Sequence, residues 1–228
     1  VSVICSTNKI NSFDNIVSNF MNQNFEQKEL IIGLNYDIKS FDYFERIMSS
    51  NNNIKIIALG GRRTLGECLN TCIEKAKYPI ISKFDDDDYY SPFYLTDMVK
   101  LFSNENIDIV GKACYYVYFA DKKIIGLMNL GRENRFVNRV AGATLMFRRE
   151  VYKKVNFPHI NLGEDVEFCN LAIKKNFKIY STNRYHYVYI RNEKYKHTWK
   201  IDNDFILKQC KYLTKVDDYK EYILNQCQ

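Results

Sequence analysis

Apolar residues fall in two alternating rhythms along the first hundred positions. The unbroken runs VSVIC (1–5), ELIIGL (29–34), IKIIAL (54–59) and YPIISKF (78–84) have the length and content of buried strands. Between them, Phe13, Ile16, Val17, Phe20 and Met21 recur at helical spacing within 11–23, and SFDYFERIMS (40–49) and TLGECLNTCIEKAK (64–77) continue that period. Ser91 before Pro92 offers an N-cap and a first helical residue for PFYLTDMVKLF (92–102). Continuous apolar strands joined by helical crossovers predict a parallel sheet covered on both faces.

The second half has a different pattern. IDIVGK (107–112), CYYVYFA (114–120), KKIIGLMNL (122–130) and VAGATLMF (140–147) are closely spaced strand candidates, with ADKK (120–123) a hairpin turn. A helix near 164–175, the strands FKIYS (177–181) and YHYVYI (185–190) and a helical tail from about 202 follow. The expectation is one α/β domain over 1–200, with a nucleotide-type half (1–112) and a mixed-sheet half (113–200), then a helical tail (201–228).

Composition adds limits. A chain of 228 residues that is 46% hydrophobic and 15% aromatic can bury a sizeable core, and only three prolines argue against long linkers. The net charge of +6 suits anionic ligands without choosing among them. The seven cysteines include no CxxC pair, so reduced, buried thiols and a cytoplasmic location are expected. No apolar run approaches the length of a membrane span, and no signal peptide is evident. The missing initiator Met is what a piece of a longer protein would show.

Against this background the acidic run is conspicuous. Asp85, Asp86, Asp87 and Asp88 follow the fourth strand directly. In open α/β sheets ligands gather at the carboxyl ends of strands. Adjacent like charges repel, so a cation or open solvent must relieve them. Hard oxygen donors point to Mg²⁺ or Mn²⁺ shared with substrate phosphates. The plainer reading is a solvated loop that caps the next helix. Glu164 and Asp165 in NLGEDVEF (161–168) open a helix, where acids also simply complement the dipole. GGRR (60–63) suits an anion or a base, or is a solvated turn. KYKHTWK (194–200) holds His197 and the only Trp, while His159 and His186 read as structural.

In combination these segments resemble GT-A glycosyltransferases of the family 2 type. VSVICSTNK (1–9) resembles that family's first strand and loop, and GGRRTLGECLN (60–70) its G…ArN segment. SKFDDDDYYSPFYL (82–95) resembles its DxD motif, VAGATLMFRREVYKKVNFP (140–158) its acceptor-side strand and helix, and GEDVEF (163–168) its ED motif. The likeness runs from Val1 to about Trp199 in the family's order. It departs at GLNYDIKS (33–40), which replaces the usual DDGS.

The resemblance implies a GT-A fold, a nucleotide-sugar donor (a UDP-sugar foremost), a divalent Mn²⁺ or Mg²⁺, and inverting transfer to a glycan, lipid-carrier or protein hydroxyl. It implies no nucleic-acid partner and leaves peripheral membrane association open. Residue by residue, it places Asp87 on the metal and Asp85 on the ribose or the metal shell, with Lys83 and Asp86 beside them on the donor side and Asp88 behind. Thr7 and Asn8 fall near the nucleotide, and Arg63 and Asn70 near base and ribose. Asn35 or Asp37 would meet the nucleobase, Asp165 would be the general base, and His197 a late metal or diphosphate contact. The alternatives are a degenerate nucleotide-sugar-binding module and, more remotely, a sugar nucleotidyltransferase.

Overall fold

The computed structural model describes residues 1–192 and 201–226. Its first half has the predicted alternation: β1 (Ser2–Thr7), α1 (Phe13–Met21), β2 (Glu29–Leu34), α2 (Asp42–Ser50), β3 (Ile54–Ala58), α3 (Leu65–Glu74) and β4 (Ile80–Lys83). The strands are parallel in the order β3-β2-β1-β4. Successive side chains go to opposite faces, as the pleat demands. Val3, Cys5, Leu30 and Ile32 pack with Phe13, Ile16 and Phe20 of α1 and Phe44 of α2. Ile4 and Ile31 pack on the other face with Leu69, Cys72 and Ile73 of α3.

The chain then forms β5 (Tyr89–Tyr90), α4 (Tyr94–Val99), β6 (Ile109–Gly111), β7 (Tyr115–Phe119), β8 (Ile124–Met128), β9 (Arg135–Val137), β10 (Met146–Arg148), α5 (Arg149–Tyr152), α6 (Glu164–Lys174), β11 (Ile179–Ser181) and β12 (Tyr187–Arg191). Strand β10 lies antiparallel between β4 and β6, extending the main sheet to eight strands in the order β3-β2-β1-β4-β10-β6-β11-β9. A second sheet has the order β13-β8-β7-β12-β5, where β13 is Lys211–Lys215.

Three local expectations are corrected. Ser91 does not cap α4, because its hydroxyl is engaged with His186 Nδ1 at 2.9 Å and the helix begins at Tyr94. VAGATLMF is mostly not strand: Gly142–Thr144 is a 3₁₀ turn and only Met146–Arg148 pairs. The tail is not purely helical, since α7 (Asn203–Gln209) and α8 (Tyr219–Asn225) bracket β13 (Lys211–Lys215), which pairs antiparallel with β8. Ile206 of α7 packs with Val117 and Phe119, and Ile223 of α8 with Tyr116, Tyr118 and Ile125. The tail thus covers both faces of the second sheet. Among the described residues no helix is long and apolar enough to cross a membrane.

Candidate functional site

The acidic loop is built into the fold rather than left in solvent. Phe84 stacks on Tyr90 with ring centroids 3.7 Å apart, closing the turn between β4 and β5. The Tyr90 hydroxyl accepts from the Asp85 amide at 2.8 Å and donates to the Ala143 carbonyl at 2.7 Å. From α1, the Asn15 amide donates to the carbonyls of Asp86 and Asp88, each at 3.0 Å, and Asn19 donates to Asp88 at 2.9 Å. The helix carboxamides thus satisfy the loop carbonyls, Asn19 from a buried position. None of the four acids caps α4, so the solvated-cap reading does not hold.

Each aspartate has a different neighbour. Lys83, at the end of β4, donates to Asp85 Oδ1. The Thr7 hydroxyl donates to Asp86 Oδ2 at 2.5 Å. Lys9 lies 3.4 Å from Asp87 Oδ2 and 3.7 Å from Asp86 Oδ1. Asp88 is buried, accepting from the Tyr187 hydroxyl at 2.6 Å and the Ile190 amide at 3.0 Å, so it ties β12 to the loop. Burial, with the Asp87 charge beside it, pushes the Asp86 carboxyl up to about 6. Lys9, whose role the sequence reading missed, supplies charge that a run of acids requires.

A cleft of about 730 Å³ opens over this loop. Asn8, Asn35, Arg63, Lys83, Asp85, Asp86, Asp87 and Asp165 all line it. The strand ends of the parallel half therefore meet the first turn of α6 in one depression. Arg63 follows Gly60 and Gly61, whose φ values of 68° and 42° turn the chain sharply. The Arg63 carbonyl accepts from Asn35 Nδ2 at 2.8 Å. Asn35 Oδ1 is buried without a hydrogen-bond partner among the described residues.

Other expected residues are elsewhere. Asn70 exchanges both amide polar atoms with the Phe157 backbone, at 2.8 and 3.1 Å, and so holds the 157 loop on α3 instead of facing the cleft. Thr7 is buried and acts through Asp86. Asp37 is exposed, against Gly61 and outside the cleft lining. His197 lies outside the described residues.

At the far wall, α6 starts after Gly163, which takes φ 82° as N-cap and leaves no side-chain cap bond. Glu164 is buried, whereas Asp165 is half-buried and closely packed on Gly142. Burial first, and the charges of Asp165 and Asp85 next, push the Glu164 carboxyl up to about 7 against the pull of Lys83. Sequence reasoning missed Arg132, Arg139, Tyr115, Tyr187 and Tyr189, which complete this wall. No local motif marks them, because only the topology carries their loops and strands to the cleft.

Comparison with known proteins gives a consistent picture. Residues 2–159 match the model of Glycosyl transferase family 2. The O-antigen biosynthesis glycosyltransferase WbnJ of Escherichia coli is 26% identical over 165 residues, covering 68% of this chain and 63% of the relative. The chain thus spans less than two thirds of that protein's length. The structure of S. aureus TarS 1–349 in complex with UDP-GlcNAc matches with a TM-score of 0.64 at 17% identity, over 88% of this chain and 61% of that one. The mannosyltransferase PcManGT from Pyrobaculum calidifontis, in complex with GDP-Man and Mn²⁺, matches with a TM-score of 0.66 at 14% identity, over 87% of this chain and 59% of that one. At these identities the structural likeness is one of fold.

Proposed function

This chain belongs to glycosyl transferase family 2, and we propose that it transfers a sugar, with inversion, from a nucleoside diphosphate sugar to an acceptor hydroxyl. The observation that carries the reading is one cleft lined by Asp85 and Asp87 from the end of β4 and by Asp165 from the first turn of α6. That arrangement leaves room for a donor sugar between two sets of carboxylates. Asp165 takes the acceptor proton as its oxygen attacks the anomeric carbon and the bond to the diphosphate breaks on the opposite face. Tyr115 and Tyr189 offer flat surfaces along the cleft for a sugar ring.

Asp85 and Asp87 fit a divalent Mn²⁺ or Mg²⁺ by donor chemistry: both are hard-oxygen acids at the cleft, 39% and 26% exposed. Among the described residues no cluster of three metal-binding side chains occurs. Such ions commonly take one or two protein carboxylates and complete their shell from phosphates and water. The ion would offset charge growing on the departing diphosphate. We expect UDP, in the presence of Mn²⁺, to bind at least about tenfold more weakly to Asp87→Ala or after EDTA treatment. Calorimetry tests this, and equal affinity in all three conditions would remove the metal from the proposal.

The base side rests on Asn35 and Arg63. Asn35 Oδ1 has unused acceptor capacity, which suits an N–H such as that of uracil. Fold likeness does not choose the base, since the solved relatives hold UDP-GlcNAc in one case and GDP-Man in another. UDP is our first choice on the sequence resemblance. Arg63→Ala is expected to weaken UDP binding several-fold and leave the melting temperature near wild type, because the side chain is exposed and donates to the Thr71 hydroxyl at 3.2 Å. Unchanged UDP affinity would return this segment to a solvated turn.

The WbnJ likeness supports a cell-surface glycan acceptor. Buried free thiols at Cys5, Cys68, Cys72, Cys114 and Cys169 support action on the cytoplasmic side, where nucleotide sugars would be drawn from a reducing compartment.

A further inference from the structure

Arg132 and Arg139 line the cleft on the wall of Asp165. Both are exposed, and among the described residues neither guanidinium has a hydrogen-bond or ion-pair partner. The other cleft cations are engaged: Lys9 with Asp86 and Asp87, Lys83 with Asp85, and Arg63 with the Thr71 hydroxyl. Each of the two arginines stands on a segment that the fold holds in place. The link between β8 and β9 has Asn129, Gly131 and Asn134 at φ 53°, 85° and 53°. For a residue with a side chain, such backbone persists only where its surroundings impose it. Asn129 Nδ2 donates to the Ala113 carbonyl at 3.1 Å, and the Asn134 amide donates to the Thr182 carbonyl at 3.4 Å. Glu133 turns inward, its side chain 12% exposed, and accepts from the Arg184 amide and Nε, each at 2.8 Å. Its neighbour Arg132 is left at the cleft. Arg139 precedes the buried Val140, which lies over Gly111, and the Ala141 amide donates to the Lys112 carbonyl at 2.9 Å. The two segments are thus pinned to consecutive residues, Lys112 and Ala113, just beyond β6.

We propose that Arg132 and Arg139 form an oxyanion subsite for the acceptor, so that the acceptor carries a phosphate or carboxylate close to the hydroxyl that is glycosylated. The inference deepens the transfer reading and rests on it for the place of the acceptor. That reading puts the acceptor hydroxyl at Asp165. Asp165 is packed on Gly142, three residues after Arg139 in the same pinned segment. The donor diphosphate belongs, on the same reading, with Asp85 and Asp87 beyond the end of β4. A guanidinium is a planar fork that matches either oxyanion with two parallel hydrogen bonds. Two of them also offset the like charge of Glu164 and Asp165, which would otherwise turn an anion away from this wall. An uncharged acceptor that covered these arginines would strip their water and return no counter-charge, which is costly.

The test uses three probes with one carbon skeleton, glycerol 3-phosphate, glycerate and glycerol, titrated into the protein saturated with UDP and Mg²⁺. Filling the donor side keeps the probes from the acidic loop. Amide NMR shifts should show at least one of the two anions binding about tenfold or more tighter than glycerol. Which anion is preferred separates a phosphate-bearing acceptor from a carboxylate-bearing one. In the Arg132→Gln/Arg139→Gln variant that preference should disappear, while UDP affinity stays at the wild-type value. Anions that bind no better than glycerol overturn the inference. So does a preference that survives the double variant, since the anion then lies elsewhere. A UDP affinity about tenfold weaker in the double variant overturns it too, because the arginines would then serve the donor diphosphate. Both side chains are exposed, so the variant is expected to melt near wild type. Should it fail to fold, the two single variants decide in its place, each expected to weaken the preference. Probe binding needs no turnover, so it is decided separately from the transfer reading, which stands or falls on Asp165→Asn.

Discussion

Asp165→Asn is expected to melt within a few degrees of wild type, bind UDP normally and lose transfer by about two orders of magnitude or more. The structure removes one competing role for this residue, that of a helix cap. Gly163, not Asp165, occupies the N-cap of α6, and no side chain there makes a cap bond. The stabilising contribution left to Asp165 is complementing the helix dipole, worth about 0.3–1 kcal/mol at an exposed site. Asn keeps the shape and gives up only that contribution. A general base contributes far more to rate, about 10²–10⁴-fold. Calorimetric melting and transfer to a working acceptor separate the two outcomes. A fully active Asp165→Asn enzyme would pass the role to Glu164, which is poised at about 7 but buried and set against Lys83.

The parallel half of the fold was legible because its strands are continuous apolar runs and its helices keep one period. ELIIGL, for instance, is buried at every position. The acidic loop was legible because four like charges after a buried strand need an explanation. What escaped the sequence depends on distant partners. Nothing near Ser91 tells that its hydroxyl meets His186, ninety-five residues on, instead of capping α4. Asn70 is a buried carboxamide on a helix face, and its sequence context does not say whether a ligand or the Phe157 backbone will meet it. In the tail, KYLTK is too short to declare a strand; it becomes one because β8 presents an open edge for Lys211–Lys215 to pair with. Arg132 and Arg139 reach the cleft on loops whose course is set by β8, β9 and the 3₁₀ turn at Gly142.

That turn leads to the second large effect. Gly142→Ala is expected to cost about a hundredfold in transfer while UDP binding with Mn²⁺ stays close to wild type. A Cβ at this position would lie 2.6 Å from Asp165 Cγ and 2.8 Å from Asp165 Cβ, far inside contact distance. The clash reaches the root of the side chain as well as its tip, so rotating the carboxylate away does not relieve it. Asp165 and the first turn of α6 must shift together. Misplacement of a reacting group by about 1 Å can cost on the order of 10² in rate. Overpacking of this kind typically costs about 1–3 kcal/mol in stability, so a lower melting temperature should accompany the loss. The donor side should be affected less, because Lys83 and Lys9 hold Asp85 and Asp87, although the Tyr90 hydroxyl that receives the Asp85 amide also donates to the Ala143 carbonyl of this turn. Combining Gly142→Ala with Asp165→Asn should therefore cost little more than Asp165→Asn alone, since both remove the same function. Two losses that multiply, or a Gly142→Ala enzyme at full rate, would show that the packing of Gly142 on Asp165 does not set the geometry of transfer.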